Sequence, residues 1–259
     1  MKTLPITLLD RLGHPDKSTR SAAVLELHRL DHPDKLAVLI QSLRTEPDLF
    51  VREDITYAVM NMGHVAVAAL CQLLTDADAN ARHHAAHTLG KIGDPAAVDA
   101  LINVLNDDDS RVVLKAAFAL GQIGDERALP ALVGLLGDDD REVQTGLLNI
   151  IESFDTAAVP LLMAALGHER WQVREQVIDA LGVIGDRAAL PALIDALQDD
   201  HWQVRFAAVT ALGHIGPVAK NALEHMPTDP DPRVSELVAQ VLRRMSQRVA
   251  VKARVTRIE

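Results

Sequence analysis

His83, His84 and His87 place three metal-ligating side chains within five residues. On a helix, His83 and His87 fall one turn apart on the same face, close enough for two imidazole nitrogens to share a metal ion. Glu53 and Asp54 stand 30 residues earlier, at the equivalent place in a repeating unit, and would add oxygen ligands. A single zinc or iron held by Glu53, His83 and His87 is therefore one candidate centre, with metal-dependent oxidation as its chemistry. Other catalytic patterns are missing from the sequence: there is no glycine loop to cradle phosphate, no nucleophile elbow and no cysteine pair. The one cysteine, Cys71, lies on an apolar stripe with Leu70, Leu73 and Leu74 and reads as packing. Acidic runs at Asp107–Asp109, Asp138–Asp140 and Asp199–Asp200 invite calcium, but lack the alternate-residue spacing and the glycine of a calcium loop. Carboxylates there are read as caps, which satisfy free N–H groups and the helix dipole.

What positions these groups is a unit of about 31 residues. Its ending, Leu-Gly-x-Ile-Gly, is found at Leu89–Gly93, Leu120–Gly124, Leu181–Gly185 and Leu212–Gly216. One column runs through Arg20, Arg52, Arg82, Val113, Gln144, Arg174, Arg205 and Ser235. A fixed period in this range signals a solenoid, whose units bury their apolar faces only against neighbours. In Asp94–Gly124, Asp94 caps and Pro95 opens a first helix. Val98, Leu101, Ile102 and Leu105 mark its apolar face. Val112, Ala116, Ala117, Leu120 and Ile123 mark a second helix, which Gly121 allows to pack closely and Gly124 ends. Each unit is thus an antiparallel helix pair. The expected fold is all-α: a right-handed α-solenoid of about eight pairs over residues 1–245.

The 259 residues are 48 % apolar but only 3 % aromatic, which suits closely packed helices filled by Ala, Leu, Val and Ile. A formal charge of −10 opposes phosphate backbones and argues against a nucleic-acid partner. No run approaches the roughly 18 apolar residues of a membrane span, and Pro5 and Asp10 interrupt the start. A cytoplasmic monomer is the expectation, and a single cysteine fits a reducing compartment.

The segment Ala81-Arg82-His83-His84-Ala85-Ala86-His87-Thr88-Leu89-Gly90-Lys91-Ile92-Gly93-Asp94, with Val204–Val209 through Gly216, resembles the HEAT-like repeat family, in the subgroup named after phycobilisome lyases. The resemblance covers about residues 8–245. It implies a binding scaffold more than any one activity; a bilin lyase-like accessory role rests on the subgroup name alone. The histidine cluster is also similar to deoxyhypusine hydroxylase, a HEAT-repeat enzyme whose His-Glu pairs follow the arginine column and hold two irons. Here the matching places read Glu53-Asp54, His83-His84, Leu114-Lys115, Thr145-Gly146, Glu175-Gln176 and Phe206-Ala207, so the ligand count of that enzyme is unmet.

The resemblance also implies that second helices line a concave side. With Ala85, Ala86, Leu89 and Ile92 packed into the core, His84, His87 and Lys91 form the exposed inner stripe of that concave side. The neighbouring units supply Asp54, Tyr57 and Asn61 before it, and Lys115, Phe118 and Gln122 after it. Aromatics among polar groups suit recognition of a protein or peptide, and no cofactor is needed for that role. Trp171 and Trp202, 31 residues apart, would cover helix ends or pair along one edge. The arginine column opposes the helix dipole, so each arginine is expected to find a carboxylate in an adjacent turn. In the tail, residues 246–259, Val249, Val251, Ala253 and Val255 alternate with basic residues, which predicts an extended or disordered basic segment.

Overall fold

The computed structural model describes residues 4–137 and 141–255, and among them there is no strand. The chain forms two compact units, residues 1–128 and 129–259. The first holds α1 (Ile6–Leu12), α2 (Lys17–Arg29), α3 (Lys35–Thr45), α4 (Leu49–Met60), α5 (His64–Leu73), α6 (Ala79–Ile92), α7 (Val98–Val104) and α8 (Ser110–Ile123). The second holds α9 (Leu129–Gly134), α10 (Arg141–Glu152), α11 (Val159–Ala165), α12 (Trp171–Ile184), α13 (Leu190–Asp195), α14 (Trp202–Ile215), α15 (Lys220–Glu224) and α16 (Pro232–Val255). Among the described residues eight helix pairs result, four in each unit, and the fold is an α-solenoid.

Local chemistry sets the helix ends. The second helices of the first unit open on aspartates: Asp16 accepts from the Thr19 N–H, Asp48 from Phe50 and Val51, Asp78 from Asn80 and Asp109 from Arg111, at 2.8–3.2 Å. Gly93, Gly124 and Gly185 stop α6, α8 and α12 in the left-handed region, at φ of 73°, 70° and 69°. After α10, where the sequence reads Ile151-Glu152-Ser153-Phe154-Asp155, the same register position is still left-handed. Asp155 takes it, at φ 51°. The turn geometry survives without its glycine because aspartate tolerates this region better than most residues.

Packing follows the apolar columns. Within the first unit α2 lies on α4, α4 on α6 and α6 on α8; within the second, α10 lies on α12, α12 on α14 and α14 on α16. Leu27, Ile55, Leu89 and Leu120 are fully buried on these second helices. The first glycine of the repeat ending lets backbones meet: a Cβ on Gly90 would lie 2.9 Å from the Ala119 Cα, and one on Gly182 2.8 Å from the Ala211 Cα.

Four of the five arginines in the column find carboxylates; Arg52 is the exception. Arg20 donates from Nε and Nη2 to Glu46 at 2.8 and 2.7 Å, and Arg82 to Asp107 at 2.6 Å for both bonds. Arg174 grips Asp199 and Arg205 grips Asp229 in the same way, at 2.7 and 2.8 Å. Each Nη1 turns back to two carbonyls of its own turn, as Arg82 does to Asp76 and Ala77. A bidentate, charge-assisted clasp thus ties each of these repeats to the next.

The rings of Trp171 and Trp202 each reach one repeat onward. Trp171 stacks on His201 at 5.7 Å, and the Arg233 guanidinium lies 3.4 Å above the centre of Trp202. Cys71 is half-buried, and burial pushes its thiol up. The tail expectation is corrected for residues 246–255: α16 runs from Pro232 to Val255 as one helix. After Pro232 the sequence offers no proline or glycine to stop it, and strong helix formers such as Arg, Lys, Gln and Ala carry it on. The acidic turn Asp138–Asp140, the Gln144 side chain and Thr256–Glu259 lie outside the described residues.

Candidate functional site

The candidate metal and partner residues all belong to the first unit and come together on the face shared by α4, α6 and α8. Tyr57, Asn61, Lys91, Phe118 and Gln122 are exposed, while Asp54, His84, His87 and Lys115 are half-buried. Side-chain bonds stitch adjacent stripes together. Ser21 on α2 donates to Asp54 at 2.5 Å, and Glu53 on α4 accepts from Lys91 at 2.7 Å and faces His87 at 3.3 Å.

Two large apolar rings stand out of this polar field. Tyr57 is 53 % exposed and Phe118 43 % exposed. Tyr57 tilts against His28, ring centres 5.8 Å apart, and the Lys115 ammonium lies 5.9 Å from the centre of the Phe118 ring.

The histidines are neutral at ordinary pH. Burial first, and then the neighbouring cations, hold His83 and His84 down to about 4 each; for His83 these are Lys115, Arg111 and Arg52, for His84 chiefly Arg52. Burial and Lys91 also lower His87. Geometry fixes the His84 tautomer. Arg52 Nη1 sits 2.8 Å from His84 Nε2, and a guanidinium only donates, so Nε2 accepts and the proton is on Nδ1. That Nδ1 faces His83 Nδ1 at 3.4 Å, the two rings meeting edge to face.

Glu53 and His87 face each other, and His83 turns away from both. His83 pairs with His84 on its own helix, while the Glu53 carboxylate lies between His87 and the Lys91 ammonium, which lowers its pKa most. Among the described residues, no group of three or more His, Cys, Asp or Glu side chains could hold a metal ion.

Sequence reasoning passed over three further features. Arg52 leaves the arginine clasp and turns to His84. In the second unit, Glu152 on α10 and Glu175 on α12 have raised pKa values through burial and the charge of Asp179, which gives that face an acidic character. Beside them, Glu175, Trp202, Phe206, Arg233 and Glu236 line a cavity of about 470 Å³. Repetition of Trp-Gln-Val-Arg was the available signal for the last; the first depends on a residue outside the repeat. Among the described residues no single helix is long and apolar enough to cross a membrane.

Several solved structures are similar to this chain. A crystal structure of importin beta matches 93 % of this chain and 40 % of its own at 15 % identity, with a TM-score of 0.61. Human deoxyhypusine hydroxylase matches over 93 % of this chain and 95 % of its own at 21 % identity and a TM-score of 0.41. The complex of CpcE and CpcF of phycocyanin lyase from Nostoc sp. matches over 95 % and 96 % at 23 % identity and a TM-score of 0.43. No curated protein sequence matches. The family model of HEAT repeats matches residues 6–64, 67–152 and 159–243. With that model spread over nearly its whole length, and eight helix pairs to carry it, the chain belongs to the HEAT-repeat family.

Proposed function

We propose that this protein is a non-catalytic interaction scaffold that receives a protein segment, an extended peptide or a helix, across α4, α6 and α8. The observation that carries the reading is the pair of exposed rings, Tyr57 and Phe118, on either side of the half-buried histidine stripe. Half-exposed aromatics set among hydrogen-bonding groups give large contact area at low entropic cost, the composition of an interface hot spot. Solenoids of this type use their extended repeat faces for binding. Asp54, Asn61, His84, His87, Lys91, Lys115 and Gln122 would supply the polar surround.

The test is affinity capture from extracts of the source cell, comparing the natural protein with Tyr57→Asp and Phe118→Asp variants by quantitative mass spectrometry. A protein retained by the natural chain and lost with both variants supports the proposal. Identical captured sets, with both variants folded by circular dichroism, defeat it.

A further inference from the structure

Four arginines of the repeat column present the same edge, Nε with Nη2, to a carboxylate: Arg20, Arg82, Arg174 and Arg205. In Arg52 that edge carries no hydrogen bond among the described residues, and its Nε is buried without a partner. The carboxylate meant for it is present. Asp76 accepts from the N–H two residues on, at 2.9 Å, as Asp107 and Asp199 do in their own turns. Arg44, outside the column, has taken it: Arg44 Nε lies 2.7 Å from Asp76 Oδ2. Arg52 is thus a permanent cation without a carboxylate among the described residues, where its hydrogen bond is to neutral His84.

A cavity of about 700 Å³ opens at this point, lined by Arg44, Arg52, Asn80 and His84, with Glu46 and Asp78 also on its wall. Neither acid is free to fill the gap. Glu46 is spent on Arg20, and Asp78 caps α6 through the Asn80 N–H. The N-termini of α4 and α6 lie beside the cavity and favour negative charge there.

We propose that this cavity recognises a carboxylate side chain, Asp or Glu, of a bound acidic protein segment, which docks on the guanidinium of Arg52 from the cavity side. The partner would supply in trans what the neighbouring repeat supplies in cis to four sibling arginines. This deepens the scaffold reading and rests on it, naming the chemistry of the partner at the rim of the face that Tyr57 and Phe118 mark.

The probe is a fluorescently labelled, end-capped octaglutamate, titrated with the full chain and followed by anisotropy in 100 mM salt. Long-range repulsion from the net charge of −10 is then screened beyond about 10 Å. Saturable binding is expected, absent for octaglutamine. Arg52→Gln should weaken it about tenfold or more, the scale of a lost charge-assisted bond. Arg44→Ala should also weaken it, because Asp76 is released to pair with Arg52. Arg44→Ala with Asp76→Asn should restore it, because Arg52 is again without a carboxylate. Binding that ignores Arg52, or a double variant no better than Arg44→Ala alone, overturns the proposal. A captured partner that needs Tyr57 and Phe118 but not Arg52 also overturns it while leaving the scaffold reading intact. Octaglutamate binding through Arg52 with no partner lost in the ring variants would instead fail the scaffold reading and support the carboxylate site.

Discussion

Arg82 and Asp107 are joined by two hydrogen bonds of 2.6 Å, which tie α6 to the turn before α8. Both side chains are largely shielded, at 17 % and 8 % exposure, so removing one strands the other in a poorly solvated place. Arg82→Ala is expected to cost about 2–4 kcal/mol in urea unfolding, more than an exposed pair would. Arg127→Ala, whose contact with Asp99 is open to solvent, serves as the comparison and should cost less than about 1 kcal/mol.

Glycine to alanine should give opposite results at two helical sites. At Gly90 the new methyl would meet Ala119 Cα at 2.9 Å and Cβ at 3.0 Å, and also press on Gln122, so Gly90→Ala should destabilise by about 1–3 kcal/mol. At Gly134, nothing lies within 4 Å of the new atom. There, alanine should be neutral or stabilise by up to about 1 kcal/mol, through the unfolded chain. Thermal melts of the two variants distinguish packing from backbone entropy.

Asp155 holds a left-handed conformation that its sister positions give to glycine. Asp155→Gly should therefore raise stability, by about 0.5–1 kcal/mol, despite glycine's greater unfolded-state entropy. An unchanged or lowered unfolding midpoint would show that the aspartate side chain compensates for its backbone.

Acid should weaken the first unit before its carboxylates titrate. His83 and His84 are held at about 4 when folded and return to the ordinary value near 6.5 when unfolded. Between those values the unfolded chain binds more protons, so stability is fully present above 6.5 and falls as pH drops towards 4. After allowing for solvent screening of these half-buried rings, the loss should be on the order of 1–2 kcal/mol for the pair. Unfolding measured at pH 7 and pH 5 in the natural chain and in a His83→Asn, His84→Asn variant checks this: the variant should show the shallower dependence.

Much of this architecture can be read in the residues themselves. Leu-Gly-x-Ile-Gly marks four second-helix ends, and the left-handed glycines and close Gly90–Ala119 approach lie where that pattern places them. The arginine column announces a need for carboxylates because a cation at a helix start must be offset. What the pattern could not show is competition. Arg44 lies outside the column, so its capture of Asp76 and the consequent turn of Arg52 to His84 depend on side-chain reach between repeats. The orientation of the histidines follows from that turn, which is why three adjacent imidazoles read as ligands and fold as a neutral pair beside a third. The α16 tail shows the opposite error, since alternating valines in a short window look extended until the absence of any helix breaker is weighed.

The clasps, caps and left-handed turns all sit at the ends of the helices, whereas Tyr57, Lys91, Phe118 and Gln122 stand exposed along their length. Such a division lets the displayed residues drift from one lineage to another while the girders stay fixed. A change of client then requires only new lettering on an old frame, repeat by repeat.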